Sequence, residues 1–99
     1  MAALADHTNV FDTVISILEK KGYQIWYVGA SCTYYAEKDG WDFASNSPVG
    51  LLGVVSIFEF LNPTVWAEYW WRMAPFGLHQ ELPDSPMRPY EPIYKRSNS

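Results

Sequence analysis

Glu59 is the residue of this chain best placed to do chemistry. It stands between Phe58 and Phe60 in the most apolar stretch, Pro48 to Leu61, and a carboxylate taken out of water must be paired, hydrogen-bonded or protonated. Such a group can serve as a general acid or base, or line a pocket. As a member of the fold alone, it marks the wet edge of a helix or pairs with Arg72 or a tyrosine hydroxyl. Three further acids, Glu37, Asp39 and Asp42, gather around Lys38 and Gly40. Clustered carboxylates can hold a hard cation or share a proton. This loop lacks calcium-ligand spacing, and a solvated turn in which Asp39 serves backbone geometry is the simpler reading.

Cys32 follows Gly29-Ala30-Ser31. A thiol at a turn, with His7 or His79 as its base, can be a nucleophile, but a lone cysteine on a strand is more often a small core residue. Two histidines so far apart in sequence point to no third zinc ligand. The sequence holds no P-loop, no dinucleotide-binding glycine pattern, no paired helical histidines, no spaced cysteines and no EF-hand loop. Nothing in it asks for a metal or a cofactor.

The aromatic side chains are the stronger signal. Trp26, Tyr27, Tyr34, Tyr35, Trp41, Phe43, Trp66, Tyr69, Trp70 and Trp71 fall on three expected strands and one expected helix, in a chain of 99 residues that is 17% aromatic. One small core cannot shelter them all. Trp and Tyr bury large areas while keeping a polar tip, which suits subunit interfaces and ligand clefts. The candidate ligand-binding set is Trp26, Tyr34, Glu59, Trp66 and Trp70. Because the body is acidic, a ligand with cationic character fits best.

Seven Lys and Arg against eleven Asp and Glu give a net charge of −4. That balance repels phosphate backbones, so nucleic acid is not an expected partner. One cysteine cannot form an intrachain disulfide, and the N-terminus has no basic region followed by an apolar run, which reads as a reduced, cytoplasmic protein. The apolar stretch Pro48 to Leu61 contains Ser56 and Glu59 and is shorter than the ~20 residues a membrane span needs. No membrane association is expected.

The elements that must position these residues are read from periodicity. Val10, Phe11, Val14, Ile15, Ile17 and Leu18 predict an amphipathic helix over Thr8 to Lys20, capped by Asp6 or Thr8 and closed by Gly22. Alternation then predicts strands at Tyr23 to Val28, Cys32 to Lys38 and Trp41 to Ala44, with Asp39-Gly40 as a tight hairpin turn. Ser47-Pro48 starts a second helix with its body at Val49 to Leu61. Asn62-Pro63 repeats that pattern and predicts a third at Thr64 to Met73, with Val65, Trp66, Tyr69, Trp70 and Met73 on one face. Residues 54–60 and 68–73 also suit strands.

Beyond Ala74, Pro75, Pro83, Pro86, Pro89 and Pro92 forbid helix. Phe76, Leu78, Leu82, Met87, Tyr90, Ile93 and Tyr94 give this extended tail more anchors than a linker needs, so it should lie along the body or a neighbouring subunit. The fold class is therefore α+β: residues 1–74 form one domain, a helix, a three-stranded antiparallel meander and two further helices, followed by a proline-rich tail at 75–99. A bare three-stranded sheet has two edges and an open face, so a homodimer or higher oligomer is expected. Two functions follow. The first is a non-enzymatic, self-associating module with an aromatic-lined groove for a small molecule or peptide. The alternative is a small enzyme using Glu59 or an acid of the 37–42 hairpin as general acid or base.

Overall fold

In the computed structural model, which describes residues 2–73 and 77–95, the first α-helix, α1, spans Phe11–Lys20 after a 3-10 turn at Thr8–Val10. Val14 and Leu18, four apart, are its buried residues. Neither Asp6 nor Thr8 caps it, contrary to the sequence expectation. His7 and Val10 occupy the two flanking positions without a side-chain cap, because the 3-10 turn absorbs a free donor by carrying the Val10 N–H to the His7 carbonyl at 3.0 Å. The other end closes as expected. Gly22 takes a φ of 95°, its N–H donates to the Glu19 carbonyl, and the Tyr23 N–H donates to the Leu18 carbonyl, the paired bonds of a Schellman motif. That motif sends Tyr23 straight from the helix end into the core.

Three antiparallel strands follow: β1 Gln24–Val28, β2 Thr33–Lys38 and β3 Trp41–Ser45, in the order β1-β2-β3. Asp39 and Gly40 both have positive φ, 53° and 86°, which a two-residue type I′ hairpin requires. Lys38 accordingly pairs with Trp41. Cys32 lies outside β2, exposed and left-handed at φ 52°, so it is neither a strand residue nor part of the core. Its backbone closes the β1–β2 turn by donating to the Gly29 carbonyl.

The register sorts the sheet into two faces. Ile25, Ala36 and Phe43 align in one row and Trp26, Tyr35 and Ala44 in the next. Ala36 and Phe43 are buried and Ile25 packs against the same cluster. Trp26, Val28, Asp42 and Ala44, on the opposite face, are exposed.

The second helix, α2 at Pro48–Leu61, begins as its Ser-Pro signal predicts, with the Ser47 hydroxyl accepting from the Gly50 N–H at 3.0 Å. A Cβ at Gly50 would meet the Ser45 hydroxyl, which would have to rotate away from it. Only one stripe of α2 is buried, through Leu51 and Val55, while Ile57 and Phe60 stay exposed. These residues complete a small core of Val14, Leu18, Tyr23, Ala36, Phe43, Leu51 and Val55.

The expected third helix at Thr64 to Met73 does not form, nor does the rival strand at 68–73. Asn62 adopts the left-handed conformation, φ 48° and ψ 55°, and closes α2 with its N–H on the Phe58 carbonyl. Its role is thus to end one helix and not to cap another, and Pro63 cannot extend α2. Further on, Tyr69 has a φ of 57°, which breaks any helical ladder, and the segment turns through Glu68–Trp71. Trp66, Tyr69, Trp70 and Trp71 therefore sit on an irregular segment, not on a helix face.

The chain divides into two compact units, Asp6–Trp71, which holds all of the elements above, and Met1–Ala5 with Arg72–Ser99. In the second unit the expected extended run is interrupted by 3-10 turns at Leu78–Glu81 and Ile93–Lys95. The first falls where no proline intervenes, with Gly77 left-handed at φ 85° and its carbonyl accepting from Gln80. Leu82, Met87 and Tyr90 are exposed. Of the loose end expected at residues 95–99, Lys95 belongs to the second of these turns; the rest of it, with Pro75 and Phe76, lies outside the described residues.

Candidate functional site

Glu59 faces back toward the start of the sheet, where the end of α1 and the hairpin meet it. Lys21 Nζ donates to Glu59 Oε1 at 2.8 Å and the Tyr23 hydroxyl donates to Glu59 Oε2 at 3.1 Å. Lys38 crosses the same corner: its Nζ donates to the Lys21 carbonyl at 2.8 Å and lies 5.4 Å from the centre of the Tyr23 ring, within cation–π range. Tyr23, Lys38, Trp41, Phe58, Glu59 and Asn62 border an open cavity of about 360 Å³ here.

The electrostatics of this corner oppose proton transfer at neutral pH. Burial, with the neighbouring Glu59 charge and its hydrogen bond, pushes the Tyr23 phenol up to about 12. The hydrogen bond from Lys21 leads in holding Glu59 below the usual carboxylate range, outweighing desolvation. The phenol stays protonated and the carboxylate ionised. Because the folded pKa of Tyr23 lies above its ordinary 10, the stability it carries is complete below pH 10 and disappears as pH rises from 10 to about 12. At ~1.4 kcal/mol per unit, the loss is of order 2 kcal/mol. Alkaline melting curves should show it in the native chain and not in Tyr23→Phe. The Lys21–Glu59 pair itself, with side chains 42% and 33% exposed, contributes only ~0.2–1 kcal/mol.

On the other side of Trp41 lies a second groove, of about 400 Å³, bordered by Asp39, Trp41, Asp42, Val65, Trp66 and Trp70. The hairpin supplies the first three and the irregular segment after α2 the rest. Trp41 and Trp70 meet nearly edge to face, 5.4 Å apart at 76°, and both pack on Phe58, at 5.1 and 6.1 Å. Trp66 is 70% exposed at the rim.

The five sequence candidates thus reach four places. Trp66 and Trp70 share the second groove, and Glu59 borders the first. Trp26 stacks on Tyr35 across the strands, 5.4 Å apart at 10°, on the open sheet face. Tyr34 pairs with Tyr27 at 4.6 Å. Trp41, common to both grooves, is missing from the candidate set, although the Asp39-Gly40 turn already placed it next to the hairpin acids. Of those acids, Glu37 accepts from the Gly40 N–H at 2.8 Å and from Gln24 Nε2 at 2.6 Å, which lowers its pKa and ties it to the turn.

Among the described residues, no group of three His, Cys, Asp or Glu side chains is placed to hold a metal ion, and no helix is long and apolar enough to cross a membrane. No family model, curated protein or solved structure matches the chain.

Proposed function

We propose that this chain is a small non-enzymatic binding module that associates with itself and offers an aromatic-lined groove to a small molecule or a peptide. The observation that carries the reading is the groove around Trp41: three indoles, from Trp41, Trp66 and Trp70, and the side chain of Val65 border one cleft with two carboxylates beside it. Ligand sites commonly join aromatic walls to placed polar groups that fix orientation. Self-association is supported by the Trp26–Tyr35 stack, which lies on a sheet face open to solvent. The enzyme alternative has less behind it, because Glu59 is already engaged by Lys21 and Tyr23 and is a weak base when so held.

The test is a thermal-shift screen of small molecules and short peptides on the full chain, followed by indole fluorescence titration of the hits. Hits should lose affinity in Trp66→Ala and keep it in Glu59→Gln, with both variants melting close to the native chain. Hits lost in Glu59→Gln and untouched in Trp66→Ala would move the site to the Glu59 corner and overturn the reading.

A further inference from the structure

We propose that the groove beside Trp41 is a site for an N-alkylated ammonium group, one that carries a full positive charge on an apolar, methylated head. The inference rests on the reading of this groove as the ligand site and adds the chemistry of what enters it.

Three observations converge on that chemistry. First, the walls meet at an angle. The Trp41 and Trp70 rings stand at 76° with centres 5.4 Å apart, and Trp66 borders the same groove while remaining 70% exposed. Flat rings set at steep angles to one another surround a round headgroup better than a flat one. A planar aromatic ligand would need parallel walls, such as the 10° stack that Trp26 and Tyr35 form elsewhere on the sheet. Second, Asp39 and Asp42 border the groove on its hairpin side, so the negative faces of the indoles and two carboxylates act in the same sense. Third, the cation nearest in sequence is turned away. Lys38 Nζ is held by the Lys21 carbonyl at 2.8 Å and lies over Tyr23, bordering the other cavity and not this one.

Methylation matters because a bare ammonium is strongly hydrated and must give up that water to sit on an indole. An alkylated head loses less and presents methyl groups to the rings. The cavity, about 400 Å³, holds such a head with part of its chain. The open rim lets the remainder, a small alcohol or the backbone of a methylated lysine, extend into solvent.

The experiment is an indole fluorescence titration of the full chain, at constant ionic strength, with choline and with its neutral analogue, in which a tert-butyl group replaces trimethylammonium. Choline should bind with a dissociation constant of order 1 mM and the neutral analogue at least ~10-fold more weakly. Trp66→Ala, and Asp39→Asn combined with Asp42→Asn, should each weaken choline by ~10-fold while the far-ultraviolet dichroism stays native. Equal binding of both probes, lost in Trp66→Ala, overturns the cation assignment and leaves the groove as a site for neutral ligands. Choline binding that survives in Trp66→Ala overturns the location. No response to either probe overturns the ammonium site, and the groove reading then stands or falls by the wider screen.

Discussion

Leu51→Ala lowers the stability of the chain by about 3–5 kcal/mol, the cost of emptying a fully packed leucine site, and leaves much of it unfolded at 25 °C. Leu51 is 1% exposed and joins Leu18 and Val55, both completely buried, in the cluster of seven buried hydrophobic residues found among the described residues. Small domains carry ~0.05–0.15 kcal/mol per residue, and a body of this size buries a lower fraction of its surface than a larger one. The substitution therefore removes an amount comparable with the whole. Ile57, on the same helix and 45% exposed, is the control, and Ile57→Ala should cost less than ~1 kcal/mol. Urea unfolding followed by circular dichroism measures both. Equal costs at the two positions would mean that α2 does not bury the face assigned to it.

The same core explains which parts of the fold could be read from the sequence. Signals that act through the backbone came through: the Ser47-Pro48 start of α2, the Gly22 closure of α1 and the Asp39-Gly40 hairpin each depend on local conformational chemistry, and the structure keeps all three. The alternation of Tyr23 to Val28 gave the strand and its faces for the same reason. The failure at Thr64 to Met73 is one of ambiguity. Asn-Pro reads equally well as a cap before a helix and as a left-handed stop after one, and the choice depends on whether the preceding residues need closing. Here α2 does. The site was legible only as a class of residue. Trp66 and Trp70 stand out by type and spacing, but their neighbour Trp41 comes from another element, and a pairing made after Asn62 ends α2 leaves no periodic trace. Glu59 is not withdrawn from water as its flanking phenylalanines suggest: it is exposed on the wet edge of α2, held there by Lys21 and by a tyrosine hydroxyl, one of the partners its position predicts. Lys21 stands 38 residues away in sequence, and no local pattern pairs the two.

If the chain associates with itself as proposed, Trp26→Ser should abolish that association at micromolar concentration while leaving the melting temperature of the single chain nearly unchanged. The reasoning begins from an imbalance: among the described residues, eighteen large hydrophobic side chains are exposed against seven hydrophobic residues buried. Scattered exposure needs no explanation. A flat aromatic plateau does, and Trp26 and Tyr35 form one, stacked at 10° beside exposed Val28 on a sheet whose β1 edge has no strand beside it among the described residues. If a second copy covers that face, Trp26 lies where interface energy concentrates, and its truncation costs 2 kcal/mol or more, roughly 30-fold or greater in the dissociation constant. Since Trp26 is already 42% exposed in one copy and outside the core, that loss appears in association and not in folding. Sedimentation equilibrium should give about twice 11.4 kDa for the native chain and the single mass for the variant. A native chain that stays at the single mass up to ~100 μM, well above the dissociation constants of specific dimers of ordinary interface size, removes the dimer from the proposal. The Trp41 groove would then be the principal recognition surface. A variant that still dimerises places the interface elsewhere, with exposed Ile57 and Phe60 on α2 as the next residues to replace.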